Sequence, residues 1–160
     1  MERSANEALV RRFIQEILNE GDMGAVEEIV APDVLGVGPG PVRMHGVHGI
    51  KFFLGGFMNV IGDLTGGKWD YQIDDLIVEG DKVVVRMTDR LNPVSYQSHA
   101  LAPELAEQRL RETGLQIEAR GYNTMIAIFQ IADGMIAHYW METSPTPDIE
   151  KPGFLAGCHS

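Results

Sequence analysis

Between residues 6 and 19 the apolar side chains Leu9, Val10, Phe13, Ile14, Ile17 and Leu18 recur at the spacing of one helical face, and Gly21 supplies a left-handed stop beyond them. A first helix is predicted there. Asp22 is placed to cap a short second helix carrying Val26, Ile29 and Val30, which must end before Pro32 because the residue preceding proline avoids the helical region. Residues 34–37 predict a short strand, and Gly38-Pro39-Gly40-Pro41 a loop. Across 49–61 the positions Ile50, Phe53, Leu54, Phe57, Met58 and Ile61 form a wide apolar stripe, so a third, buried helix is expected. Gly55 and Gly56 in its middle leave room for another backbone to come close.

After Gly66-Gly67 the period changes from helical to alternating. Strands are predicted at 69–79, 82–91, 115–131 and 135–142, with Gly80-Asp81 and Asp133-Gly134 as tight turns. The stretch 92–114 breaks the pattern: a polar loop leads into Ala102-Pro103-Glu104, which opens a short helix closed by Gly114. Beyond Thr143, the prolines Pro145, Pro147 and Pro152 predict an irregular tail over 144–160. Three helices followed by an antiparallel sheet of about four strands give an α+β plan in which helices cover one sheet face.

Two strands carry an acid on a face that is otherwise apolar. In 82–91 one face reads Val83, Val85, Met87, Asp89 and Leu91, and the other Val84, Arg86, Thr88 and Arg90. In 135–142 unbroken alternation groups Ile136, His138, Trp140 and Glu142. If both faces line one cavity, burial and mutual repulsion split such a carboxyl pair into a proton donor and a proton acceptor near neutral pH. The plainer alternative is a solvated acid at the end of each strand.

Length and composition bound the rest. A chain of 160 residues, 44% hydrophobic and 22% charged, is read as one globular domain over 1–160. A formal charge of -10 argues against polyanionic partners, so neither nucleic acid nor an anionic membrane is expected. No signal peptide and no apolar run able to cross a bilayer is recognised, which leads to the expectation of a cytoplasmic protein. The one cysteine, Cys158, has no intramolecular partner. His45 and His48 are three apart, but Gly46 and Gly49 favour a turn over a metal-binding helix, and no metal is expected. His138 either tunes Glu142 or is a satisfied structural histidine. Nothing resembles a nucleotide-binding glycine loop or a nucleophilic serine elbow.

The segments Ala31-Pro32-Asp33-Val34, His45-Gly46-Val47-His48-Gly49-Ile50, the run 75–86 from Asp75 to Arg86, and Asp133-Gly134-Met135-Ile136 ahead of Trp140 resemble those of SnoaL-type polyketide cyclases. Those proteins belong to the NTF2-like superfamily of ketosteroid isomerases, scytalone dehydratase and limonene-type epoxide hydrolases. The resemblance covers most of residues 5–143. It implies a cone-shaped curved antiparallel sheet, an NTF2-like α+β barrel with the N-terminal helices packed on the concave face. It also implies cofactor-independent acid–base chemistry, in which one carboxylate takes an acidic carbon-bound proton, the enolate attacks an electrophilic carbon and the new oxyanion is protonated. Trp140-Met141-Glu142 is similar to the closing-strand Trp and Asp of the epoxide hydrolases, with Glu for Asp. Asp89 matches a second acid of those enzymes, but their arginine two residues earlier is Met87 here. The Gly-Thr-His segment common in the cyclases is replaced by 92–114, read as a lid over the cone mouth, with an oligomer contact or a solvated excursion as alternatives.

These readings lead to a cyclase or isomerase acting on a polyketide-like, apolar oxygenated molecule. Glu142 is the expected general base and Asp89 the general acid or water-orienting group, with His45 and His138 beside them. Trp140, Met87, Phe57, Tyr122 and His99 are the expected substrate contacts. The alternatives are an epoxide-opening hydrolase or cyclase and, from another class, a non-catalytic binding domain. Carboxyls sharing one enclosed cavity favour catalysis, whereas carboxyls on opposite sides of the sheet leave only a binder. Open sheets of this type commonly pair, so a homodimer is expected.

Overall fold

The computed structural model describes residues 2–38, 42–65, 69–95 and 120–147, with side chains described at 2–38, 42–56, 69–90 and 124–143. Helix α1 (Glu2–Arg12) continues into a π-helical segment, Phe13–Asn19, and the short α2 (Val26–Ile29) follows. Then come β1 (Val30–Val37), β2 (Arg43–His45), α3 (Gly46–Thr65), β3 (Tyr71–Glu79), β4 (Lys82–Ser95), β5 (Arg120–Ala132) and β6 (Met135–Pro147). Together the strands form one curled, unclosed six-stranded sheet in the order β2-β1-β6-β5-β4-β3.

Local chemistry explains most boundaries. Asp22 Oδ1 accepts the backbone N–H groups of Gly24 at 2.9 Å and Ala25 at 3.3 Å, capping the turn that leads into α2. That helix ends at Ile29, ahead of Pro32 as expected. Asp133 and Gly134 both adopt positive φ, 52° and 75°, the geometry a two-residue hairpin needs for strands with right-handed twist.

Helices cover one face of the sheet, and the core lies between the two. Val10, Phe13, Ile14, Ile17 and Leu18 from the first helical run meet Val83, Val85 and Met87 of β4, Ala127 and Phe129 of β5, and Tyr139 and Met141 of β6. At its centre the Phe13 ring lies 5.3 Å from both Phe129 and Tyr139, edge-on to the first and tilted to the second. A buried and a half-buried carboxamide fix the helix on the sheet at its two ends. Asn6 donates to the Gly80 carbonyl, and Asn19 exchanges two hydrogen bonds with the Tyr71 backbone, at 2.8 and 3.0 Å. On the solvent side Arg12 is hydrogen-bonded to Glu16, which holds that carboxyl below its ordinary range.

Several elements depart from the sequence reading. The sheet has six strands, and β1 runs parallel to β6, so the fold is mixed where antiparallel pairing throughout was expected. β6 continues as strand through Pro145 and Pro147 to the end of its pairing with β5. Among the described residues β1 pairs with β6 only as far as Trp140. Beyond that point the two prolines, spaced by two, turn their missing N–H groups away from β5, so the pairing with β5 tolerates them. Residues 92–95 are likewise strand, and the proposed lid from residue 96 on lies outside the described residues. Among the described residues a Cβ added at Gly56 would meet nothing within 4 Å and one at Gly55 only Met23, so none of their backbone approaches α3 there.

Gly36 is the position where close approach does matter. It pairs with Tyr139, and a Cβ there would lie 2.5 Å from the phenol ring. Gly36→Ala should therefore push Tyr139 off Phe13 and Phe129 and destabilise the fold by about 1–3 kcal/mol, the usual range for overpacking a core. Urea unfolding of the two proteins checks this, and coincident midpoints would contradict the packing described.

Candidate active site

The four strands β3 to β6 have well-defined faces because their pairing register is continuous over most of its length. On the helix-covered face, Val83, Phe129 and Tyr139 form one cross-strand row over β4, β5 and β6, followed by the rows Val85, Ala127, Met141 and Met87, Met125, Thr143. Asp89 continues this row and is 1% exposed, so the expected acid on an apolar face is present. The strand pairing changes beside it. Between Thr88 and Pro93, β4 advances five residues while β5 advances two, and Asp89 is the first residue of that departure. Among the described residues Asp89 is thereby registered with β3, opposite Tyr71. Its Oδ1 accepts the Asp70 N–H at 3.1 Å, and the Arg90 N–H donates to the Asp70 carbonyl at 2.9 Å. Bulges of this kind are enriched beside active sites, where they re-aim a side chain.

The neighbours of Asp89 give this end of the sheet an aromatic and sulfur-containing surface. Tyr71 is buried, the partly buried Trp69 ring lies 5.8 Å from it, and Met87 is fully buried. Neither Trp69 nor Tyr71 is among the substrate contacts expected from the sequence. An acid in such surroundings can exchange a proton with an apolar molecule from which water is excluded.

Glu142 requires a correction. β6 carries an extra residue at Ala137, because Ile136 pairs with Ile131 but His138 pairs with Gln130. The bulge reverses the phase of everything after it. Ile136 is inside, yet Tyr139 and Met141 take the inner positions that unbroken alternation gave to His138, Trp140 and Glu142. Glu142 is exposed on the outer face, where it accepts the Trp140 Nε1–H at 2.9 Å, on the opposite side of the sheet from Asp89. The expected carboxyl pair is not assembled.

The histidines go the same way. His45 on β2 is exposed and opposite Leu35, which also registers with the exposed His138, so both lie on one outer row. Of the expected substrate contacts, Met87 is on the inner face and Trp140, 53% exposed, on the outer. The side chains of Phe57 and Tyr122, and all of His99, lie outside the described residues. Arg86 and Arg90 do not neutralise Asp89 from their side of β4; they form ion pairs with Asp74 and Asp75. Among the described residues no cluster of His, Cys, Asp and Glu could hold a metal, and no helix is long and apolar enough to cross a membrane.

Helices laid over one face of a curled mixed sheet, with a buried acid where two strands part, define an NTF2-like α+β domain. The chain belongs to the SnoaL-like domain family, whose pattern matches residues 10–139. No curated protein matches it in sequence. Among solved structures it is similar to a protein of Jannaschia sp. CCS1 provisionally described as a SnoaL-like polyketide cyclase. That likeness is at 16% identity and TM-score 0.60, covering 89% of this chain and 87% of the other. It is also similar to TsrD from Streptomyces laurentii, at 25% identity and TM-score 0.56, over 99% and 95% of the two chains. A third is a LEH-like epoxide hydrolase of M. tuberculosis, at 17% identity and TM-score 0.58, over 90% and 86%.

Proposed function

We propose that this protein is a cofactor-independent acid–base enzyme, a cyclase or isomerase of a polyketide-like, apolar oxygenated molecule, and that Asp89 is its proton-transfer group. The observation that carries the reading is a carboxyl group 1% exposed on the helix-covered face, at the point where β4 leaves β5. Family membership and a neighbour described as a polyketide cyclase support it. One carboxylate suffices for the chemistry. Asp89 takes a proton from carbon beside a carbonyl, the enolate closes on an electrophilic carbon or is reprotonated elsewhere, and the acid form of Asp89 returns the proton to the resulting oxyanion or carbon. Epoxide opening fits less well, since Met87 stands where the hydrolases have arginine and Glu142 faces outward.

A second reading, a binding domain without turnover, draws support from the separation of Asp89 and Glu142 onto opposite faces. Deuterium exchange separates the two. With a small apolar ketone such as β-tetralone in heavy water, the enzyme reading expects protein-dependent exchange of the acidic carbon-bound hydrogen. Binding with no acceleration of exchange by the wild type would favour the binder.

We also propose a homodimer formed through the outer face. Val37, Trp140, Ile128, Val84 and Ile77 are successive register partners across five strands, and Trp140, Ile128 and Ile77 are exposed. A contiguous apolar band of this kind is characteristic of an interaction surface. Trp140→Lys should convert a dimer to a monomer in sedimentation equilibrium, and a mass unchanged by the substitution would exclude this face.

A further inference from the structure

β3 carries its own irregularity across the sheet from Asp89. Ile73 registers with Met87 and Asp75 with Arg86, so Asp74 is an extra residue on that strand. Its side chain, 13% exposed, accepts the Thr88 hydroxyl at 2.6 Å and an Arg90 guanidinium N–H at 3.2 Å, with Arg86 at 3.5 Å. Thr88 and Arg90 are the two chain neighbours of Asp89. One carboxylate therefore grips β4 on both sides of the candidate acid, from the opposite face of the sheet. It does so where β4 has just lost its regular pairing with β5.

We propose that Asp74 is the positioning residue of the site: its contacts with Thr88 and Arg90 hold the departing segment of β4 so that Asp89 is aimed at the helix-covered face. The Asp89 role itself rests on the function proposed above. The physical need is specific. A strand leaving its ladder loses hydrogen bonds that would fix its side-chain directions, and a half-turn of the backbone would carry Asp89 outward. Thr88 and Arg90 alternate with Asp89, so fixing their side chains outward fixes Asp89 inward. Charge-assisted hydrogen bonds from a largely buried carboxylate are suited to that task. The bulge at Asp74 is also what brings Tyr71, and not Gln72, opposite Asp89.

The test reads the positioning directly, through amide hydrogen exchange of the full chain. The Asp70 N–H is bonded to Asp89 Oδ1, and the Arg90 N–H to the Asp70 carbonyl, so these two amides report the local geometry. In Asp74→Ala their exchange should speed up by at least about tenfold, while the amides of Ala127 and Met141 in the centre of the sheet keep their parental rates, as local opening requires. Asp74→Asn, which keeps an acceptor for Thr88, should lie closer to the parent. If Asp74→Ala does not fold, Thr88→Val removes the shortest contact at constant shape and carries the same expectation. Unchanged exchange at Asp70 and Arg90 would overturn the proposal. So would a parallel rise throughout the sheet, which would make Asp74 a general structural residue. Failure of the catalytic reading looks different: Asp89→Asn would leave deuterium exchange of the ketone intact while the amide pattern in Asp74→Ala still appears.

Discussion

Asp89→Asn should lower the acceleration of carbon–hydrogen exchange by at least about a hundredfold, the low end of what a positioned general acid or base contributes. The protein should remain folded, because asparagine has the same shape and its carbonyl oxygen can still accept the Asp70 N–H that reaches Asp89 Oδ1 at 3.1 Å. What is lost is the ability to take and return a proton at a place that water hardly reaches. Glu142→Gln is the matching control. Its carboxylate faces solvent on the other side of the sheet and accepts a hydrogen bond from Trp140, a contact glutamine preserves, so the exchange rate should stay within about twofold of the parent. A large loss in Glu142→Gln and none in Asp89→Asn would invert the assignment of the two acids.

Phe13→Ala should be the most damaging single change to stability. Phe13 is fully buried and its ring is the hub of a trio with Phe129 and Tyr139, which themselves lie 6.0 Å apart. Truncation removes both aromatic contacts and leaves a cavity where the first helical run crosses the sheet, for a loss of about 3–5 kcal/mol. Against a total of about 5–15 kcal/mol for an ordinary domain, that is about a fifth of the stability or more. Phe13→Leu, which fills most of the volume, should lose less. Denaturant unfolding with near-UV circular dichroism checks both, and a loss under about 1 kcal/mol in Phe13→Ala would mean that this trio does not bind helix to sheet.

Elements defined by an uninterrupted period could be read from the sequence. The first helical run shows its face because Val10, Phe13, Ile14, Ile17 and Leu18 all point one way, and all are buried. Asp89 could be found for the same reason, since β4 alternates without a break from Val83 to Asp89. The errors arise where the backbone adds a residue that leaves no mark in composition. Ala137 has nothing that distinguishes it from an in-register alanine, yet its bulge moves His138, Trp140 and Glu142 to the other face. Counting from the Gly80–Asp81 turn would set Asp89 opposite Gln72, and the extra residue at Asp74 is what substitutes Tyr71. The parallel pairing of β1 with β6 is a long-range contact with no local signal, and among the described residues it stops at Trp140, ahead of Pro145 and Pro147.

Under the function proposed above, an apolar molecule is handled on the helix-covered face beside Asp89 and the outer face is left to protein contacts. Adjacent residues on β5 provide an internal control, since Met125 points to the inner face with Met87 while Ile126 and Ile128 point outward. Side-chain methyl resonances of these four residues, followed by NMR as β-tetralone is added to the protein, measure the claim directly. Shifts at Met87 and Met125, with Ile126 and Ile128 unmoved, are the predicted result; shifts confined to Ile126 and Ile128 would contradict it.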